Sequence, residues 1–459
     1  MSSVIRRVIT IVLSCAMVIA VASCGASGDE PGAGTTTTKQ GEQTTADDGD
    51  NGDNEKTKIT FQTWNPDEPA FQKLLEDMDG KLSDVEVELV FIPYSDHISK
   101  LKVDLASGEG PDVFGLQTGA SMQEFSEFLT DLDPLAKEAW GDDWTSNYVD
   151  FAMEQIKGKL DSYYGLPLGM SYAGMIWAND FYFNKYDLEM PKSYDDLKKV
   201  SADLRAEGEY PLASGAKDDW INIDMFMNIV NDINPEIVYQ AIEGESSWQD
   251  EDIITAFSLW QSLFTDGIYQ DGALGVNMYN DTTDIFEKEA SVPMITNGCW
   301  VIGNYAKETE EFVKIWSDDN NDHNFNVISM DWNNDGTPAP VTAAVDVVVV
   351  QNKNSKNPEA AWKFMEYMGT DGADILVNDL LFYFPAKANA SFTGSLSEEG
   401  TANYNKLMEI SANVAGYREM SYPELKQAFA DQLKALATED ATPEQAAEAI
   451  QAVSDTTTR

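Results

Sequence analysis

The sequence predicts an α/β protein. Short apolar stretches of period two alternate along the chain with apolar residues at helical spacing. The chain is also large enough to bury substantial cores: its 459 residues are 43% apolar and 11% aromatic, enough for two or three globular domains. Charge narrows the classes further. Thirty Lys and Arg stand against 79 Asp and Glu, a formal net charge of −49. Such a surface cannot displace counterions from nucleic-acid phosphates, nor dock on anionic lipid through a basic face. It favours solubility and repels anions at long range without deciding the fold.

The N-terminus reads as an export signal. Arg6 and Arg7 precede an apolar run from Val8 to Ala22, interrupted only by Thr10, Ser14 and Cys15. This is a charged region followed by a hydrophobic region too short for a membrane span. Val21-Ala22-Ser23-Cys24 resembles the bacterial lipobox, which implies cleavage after residue 23 and acylation of Cys24. From Gly25 to about Lys58 there is no aromatic and no branched aliphatic residue. Residues 24–58 are therefore expected to be a disordered tether, and roughly 33 residues of such coil span about 30 Å. A diacyl anchor at its start would hold stably where one chain would not. Removal of the signal leaves Cys24 and Cys299, so an acylated Cys24 permits no intrachain disulfide. Cys299 reads as a small buried apolar residue.

The folded body is expected from Ile59. Ile59–Thr63 and Val85–Phe91 alternate as strands, with Phe71, Leu74, Leu75 and Met78 at helical spacing between them. Asp112–Leu116 follows as a third strand. Strand–helix–strand units of this length predict largely parallel sheets covered on both faces. Ser193 three residues before Asp196 opens a helix whose stripe is Leu197, Val200 and Leu204, ending at Gly208. Val345 and Val347–Val350 read as one buried strand. Asn357-Pro358 reads as N-cap and first helical position, with Trp362, Met365 and Met368 inward. Thr442-Pro443-Glu444-Gln445 opens a last helix.

Enzyme signatures are weak. The chain has two histidines, His97 and His323, and no H-E-x-x-H, C-x-x-C or phosphate-binding glycine loop. Gly169-Met170-Ser171-Tyr172-Ala173 falls one residue short of a nucleophile elbow. Asp331-Trp332-Asn333-Asn334-Asp335-Gly336 begins like a calcium loop, but Thr342 stands where the bidentate Glu belongs, so a polar turn is expected. No catalytic residue, metal or cofactor is assigned.

Several tryptophans sit in loop-like contexts. Trp64 follows the first strand, Trp220 follows Lys217-Asp218-Asp219, and Trp300 follows Asn297-Gly298-Cys299. Flat aromatic faces suit the C–H face of a pyranose, while nearby Asp, Asn, Gln and Thr bond its hydroxyls.

From Ile59 onward the chain resembles the extracellular solute-binding proteins of ABC importers, in the carbohydrate-binding family that includes maltose-binding protein. The resemblance rests on the run Lys100-Leu101 through Ala106-Ser107-Gly108-Glu109-Gly110-Pro111-Asp112-Val113, on Tyr164-Gly165-Leu166-Pro167, on Phe286 to Trp300, and on Ser355-Lys356-Asn357-Pro358-Glu359-Ala360-Ala361-Trp362-Lys363-Phe364. It implies a two-lobed, hinged binding-protein fold of class II. Lobe 1 would take 59–168 plus 338–385, and lobe 2 would take 169–337 plus 386–459. By position it implies ligand contacts at Gln117, Thr118 and Gly119, at Ser171 and Tyr172, and at Trp220 and Trp300. Trp64, Asn65, Asp67, Asp346, Tyr383 and Phe384 are further assignments. Gly115 and Leu116 stand where maltose-binding protein has a stacking aromatic, so a malto-oligosaccharide contact set is not implied.

The resulting expectation is a monomeric, lipid-anchored receptor on the outer face of the cell membrane. It would close on a neutral oligosaccharide and hand it to the transmembrane subunits of a permease. One alternative is a polyamine or other cationic solute, served by Asp67, Asp219 and Asp346. The other is a secreted hydrolase using Ser171 or a carboxylate pair.

Overall fold

The computed structural model describes residues 56–318, 322–388 and 390–459. The signal segment, Cys24 and the tether up to residue 55 lie outside them. Strands run in the order β1 Thr57–Thr63, β2 Val85–Phe91, β3 Val113–Leu116, β4 Gly165–Pro167, β5 Met170–Ala173 and β6 Met175–Asn179. They continue with β7 Leu212–Ala213, β8 Met294–Asn297, β9 Phe325–Ile328, β10 Val341–Val345, β11 Val348–Gln351 and β12 Val414–Tyr417.

These strands make a five-stranded sheet, β2-β1-β3-β11-β4, and a four-stranded sheet, β7-β8-β6-β9. A three-stranded sheet, β12-β10-β5, supplies the links. The chain leaves the first sheet at β4, passes through β5 and enters the second at β6. It returns from β9 through β10 to β11. The fold is thus the expected two-lobed α/β architecture, but its sheets are mixed rather than mostly parallel. β1 runs parallel to β2 and β3, whereas the returning β11 is antiparallel to both β3 and β4. A strand re-entering a sheet from another sheet is not bound to the direction a local strand–helix–strand unit imposes.

The first sheet is held where two distant sequence segments meet. β1 buries Ile59 and Phe61, and the Phe61 ring lies 5.9 Å from Phe71 and 5.1 Å from Phe364 on the covering helices Glu68–Met78 and Pro358–Tyr367. Asp112 accepts from the backbone N–H of Thr60 at 2.9 Å and from the Ser355 hydroxyl at 2.6 Å. The Asn352 amide donates to the Pro111 carbonyl at 2.9 Å. One carboxylate therefore pins β1 and the approach to helix Pro358–Tyr367.

Helix Asp219–Ile233 is the axis of the second core. Apolar residues cover most of its circumference, as befits a buried helix, yet Asn222, Asp224, Asn228 and Asn231 are buried with them. Each holds a different segment. Asn222 donates to the Ala216 carbonyl at 2.8 Å, Asn228 accepts from the Trp332 indole at 2.7 Å, and Asn231 donates to the Tyr239 hydroxyl at 3.3 Å. Asp224 receives Arg418. Helices Glu251–Thr265 and Pro423–Ala437 close over it through Phe226, Phe257 and Phe429, whose ring centroids lie 4.7–5.1 Å from that of Phe226.

Both capping boxes form, at Ser193/Asp196 and Thr442/Gln445. Asn357 makes no side-chain cap; its amide donates to the Lys58 carbonyl at 3.1 Å instead. Met365 and Met368 are buried as expected, whereas Trp362 is half-buried beside Trp140. The valine run is two strands, broken at Asp346-Val347. The calcium-like segment is a polar turn in which Asp331 accepts from the N–H groups of Asp335 and Gly336. Among the described residues no helix is long and apolar enough to cross a membrane.

The loop after β3 meets the segment after β12 at close quarters. Ala120 N–H donates to the Met420 carbonyl at 2.7 Å. Gly119 has φ +68°, and a Cβ there would stand 2.6 Å from the carbonyl oxygens of both Glu419 and Met420. Gly108 has φ +78° but open space around it. Gly108→Ala is expected to cost about 1 kcal/mol from backbone conformation alone. Gly119→Ala adds a backbone clash and is expected to cost at least ~2 kcal/mol. Urea unfolding of the two variants checks the difference.

Candidate functional site

The site is built around Arg418, one residue beyond β12. It is 5% exposed, and a buried guanidinium persists only where its charge and its N–H groups are met. Asp224 takes Nε and Nη2 in a bidentate pair, both at 2.8 Å. Nη1 donates to Asp346 Oδ1 at 3.1 Å and reaches Ser171 Oγ at 3.5 Å. Asp346 occupies the break between β10 and β11, where the interrupted pleat turns its side chain to the arginine rather than into a sheet. Burial pushes both carboxyls up, and Arg418 opposes the shift. The next residue, Glu419, is buried too, and Lys426 and Arg418 hold its carboxyl below the usual range despite that burial.

Aromatic rings stand over this ionic floor. The guanidinium lies 5.2 Å from the Trp300 ring and 5.7 Å from the Trp220 ring, a cation–π arrangement with the cation already paired. Trp220 opens helix Asp219–Ile233, and Trp300 follows β8 directly. Tyr279 stacks on Trp220 at 5.7 Å with an interplanar angle of 27°. Tyr279 sits on a strap whose neighbour Met278 donates its N–H to Asp218 Oδ2 at 2.7 Å. From the first lobe come Trp64 and Tyr94, edge to face at 5.0 Å. The Tyr94 hydroxyl donates to Gln117 Oε1. One small cavity is lined by Trp64, Tyr94, Gln117, Trp220, Tyr279, Trp300, Asp346 and Arg418. A second, of about 160 Å³, shares Tyr94, Trp220 and Tyr279 and extends past Asp96, Asp218 and Asn277.

The expected residues divide into two groups. Trp64, Gln117, Trp220, Trp300 and Asp346 meet in the first cavity, and Ser171 touches its floor. Thr118 and Tyr383 are buried but line neither cavity; the oxygens of both, like the Trp300 indole nitrogen, have no hydrogen-bond partner in the protein. Asp346 and Asp67 act electrostatically on the Tyr383 hydroxyl, which burial raises first and most. The others are occupied in holding the fold. Asp67 caps helix Glu68–Met78 by accepting from Ala70 N–H at 3.0 Å, and Asn65 bonds Thr63 Oγ1 through its backbone. Gly119 makes room for residues 419 and 420. Phe384 exchanges backbone hydrogen bonds with Met170, and its ring packs between Tyr172 and Tyr404. Tyr172 also donates its N–H to Cys299 Sγ at 3.1 Å, and burial pushes that thiol up to about 12.

Arg418, Asp224, Tyr94 and Tyr279 were not anticipated. A signal existed for the first: the chain has five arginines, and only three lie in the folded body. Nothing local marks it as the partner of residues 72 and 194 positions away.

The rival chemistries find little here. Ser171 lies within β5 rather than on a strand-to-helix turn, and its hydroxyl faces Arg418. His97 is buried with Nε2 2.8 Å from the Gly115 carbonyl, and burial lowers it to about 4. His323 lies beside Asn179. Of the acids expected to serve a cation, Asp346 pairs with Arg418, Asp219 with Lys434, and Asp67 with its helix.

Comparison with known proteins bears on the family and the fold. An uncharacterized ABC transporter extracellular-binding protein of Pyrococcus horikoshii is 23% identical over 62% of this chain and 60% of its own length. The chain thus spans less than two thirds of that relative. A multiple sugar-binding protein of Streptococcus mutans is 21% identical over 68% of this chain and 71% of its own. A maltose-bound binding protein of T. maritima superposes with a TM-score of 0.70 at 19% identity, covering 87% of this chain and 99% of that one, which establishes a shared fold. Residues 64–375 match the family described as bacterial extracellular solute-binding protein, and the chain belongs to that family.

Proposed function

We propose that this protein captures a neutral oligosaccharide between its lobes and delivers it to the transmembrane subunits of an ABC importer. The observation that carries the reading is the unpartnered indole nitrogen of Trp300 at a cavity walled by aromatic rings. Buried polar atoms are normally satisfied. A ligand that offers hydroxyls at its edges and apolar C–H faces to rings meets both requirements. The adjoining 160 Å³ cavity gives one ring a place against Trp220 and Tyr279, and a further ring enters the smaller cavity only as the lobes part. The name of the Streptococcus relative, a multiple sugar-binding protein, agrees with this reading.

The protein acts by binding and release, without covalent chemistry. Trp64, Tyr94 and Gln117 come from the first lobe and Trp220, Tyr279 and Trp300 from the second, so the ligand binds best where the lobes meet and draws the population towards closure. The lobes divide at the links through β5 and β10, as 59–168 with 338–385 and 169–337 with 386–459. A monomer suffices for this cycle. The anchor is the acylated Cys24 on the outer face of the cell membrane, with residues 24–58 as its leash.

Four measurements test this. A thermal-shift screen of residues 59–459 is expected to respond to neutral oligosaccharides, by about 2.7 kcal/mol of stabilisation at one hundred times the dissociation constant. Polyamines are expected to give none; a salt-sensitive response to them alone overturns the reading. Trp300→Ala is expected to weaken binding of the responding glycan about 30-fold, roughly 2 kcal/mol, through lost stacking. Tyr279→Ala is expected to weaken a trisaccharide more than the corresponding monosaccharide, since only the longer ligand spans both cavities that Tyr279 lines; calorimetry on both compares them. For the anchor, Cys24→Ala is expected to move the protein from the membrane fraction to the medium.

A further inference from the structure

The floor of the cleft carries an arginine, the side chain best suited to grip a carboxylate. At most one of its N–H bonds is nevertheless left uncommitted. A guanidinium has five N–H bonds. Asp224 takes two of Arg418's in a bidentate pair, and Nη1 points to Asp346 at 3.1 Å and Ser171 at 3.5 Å. The two carboxylates differ in position. Asp224 is on the buried helix, and its side chain is 2% exposed. The Asp346 side chain is 11% exposed and lines the cavity together with Arg418, Trp220 and Trp300. Asp346 therefore stands between the arginine and whatever enters. Arg418, Asp224 and Asp346 sum to one negative charge, and the neighbouring Glu419 is balanced by Lys426.

We propose that Asp346 is a specificity-determining residue, an internal carboxylate that occupies Arg418 and so excludes sugars bearing a carboxylate of their own. The inference rests on the oligosaccharide reading above and narrows it to uncharged glycans, with uronic acids rejected. A ligand carboxylate arriving at this floor meets a fixed negative charge at short range in a partly desolvated place, where like-charge contact is most costly. It also finds no open pair of guanidinium N–H bonds. A hydroxyl meets neither obstacle, because it can donate to an Asp346 oxygen. The chain's many surface acids do not produce this discrimination, since screening at physiological salt confines each to about 8 Å.

Asp346→Asn tests the assignment. Asparagine keeps the size and the oxygen that accepts from Nη1 but removes the charge, and Asp224 still neutralises Arg418. The probes are maltotriose, cellotriose and galactotriose, each beside its counterpart oxidised at C6 to the uronic acid, titrated calorimetrically into wild type and variant. Wild type is expected to bind a neutral member and to reject its acid counterpart. In Asp346→Asn the neutral-to-acid affinity ratio is expected to fall at least about tenfold, chiefly because the acid binds better. Asp346→Ser, smaller and also uncharged, supplies the same comparison if the asparagine variant does not fold. An unchanged ratio in a folded variant that still binds the neutral trisaccharide overturns the role of Asp346 and leaves the sugar reading standing. Wild type preferring the acid also overturns it. Binding to none of the six by wild type overturns the sugar reading and this inference together.

Discussion

A single buried cation organises this molecule. Removing a guanidinium from water costs several kcal/mol unless its charge is met at close range, so the position of Arg418 dictates that of two carboxylates. One is on helix Asp219–Ile233, the axis of the second core; the other is at the break through which the chain returns to the first sheet. The third chain in this contact, β12, is held by pairing with β10, and Arg418 donates its own N–H to the Ala343 carbonyl at 2.8 Å. The link sheet, the helix and the crossover are thereby fastened at one point. Gly119 lets the first lobe approach the same segment from its other side. Loss of Asp224 would strip the guanidinium of its bidentate partner in the interior, which is far more disruptive than loss of an exposed pair such as Lys100–Asp104.

The same constraint shapes the cleft. With its charge met from below, the guanidinium presents a flat face to Trp220 and Trp300, and the rings can lie against it without repelling an apolar sugar face. Tyr279 continues the stack outward, and Trp64 with Tyr94 closes it from the other lobe. Polar capacity remains at the margins, in the Trp300 indole and the Gln117 amide. The cleft is thus apolar in the middle and hydrogen-bonding at the edge, which is the pattern of a pyranose turned inside out.

What could be read from the sequence was what local physics decides. The capping boxes at Ser193 and Thr442 formed because a hydroxyl three residues before an acceptor satisfies helix N–H groups with no help from elsewhere. The period-two strands formed for the same kind of reason. Where tertiary partners compete, local reading failed. Asn357 has a capping side chain in a capping position, but the Lys58 carbonyl, brought close by the docking of β1, takes its amide. The valines 345–350 looked like one strand because their apolarity hides the turn that Asp346 makes towards Arg418. The two-lobed fold and the tryptophans were legible because a resemblance over much of the chain carries long-range information. Arg418 was not, because no local pattern records which carboxylates will surround it.

The charges that decide what this cleft accepts are few. Its 79 acids and 30 bases leave a strongly negative surface, and it is tempting to read ligand preference from that sum. Most of those charges face water, where a pair at 4 Å interacts by only about 1 kcal/mol at bulk dielectric, against about 4 at the effective dielectric of a protein margin. The carboxylates of Asp224 and Asp346 are desolvated and fixed by hydrogen bonds to Arg418, and Asp346 lines the cavity, so each outweighs many at the surface. Their sum with Arg418 is a single negative charge on a floor that offers no open pair of guanidinium N–H bonds. That local balance disfavours a ligand anion, whose charge it opposes. It also offers little to a cation, because both acids are already paired. An uncharged ligand that hydrogen-bonds at its edges is what this arrangement of charge accommodates, and it would do so whatever the net charge of the remaining surface.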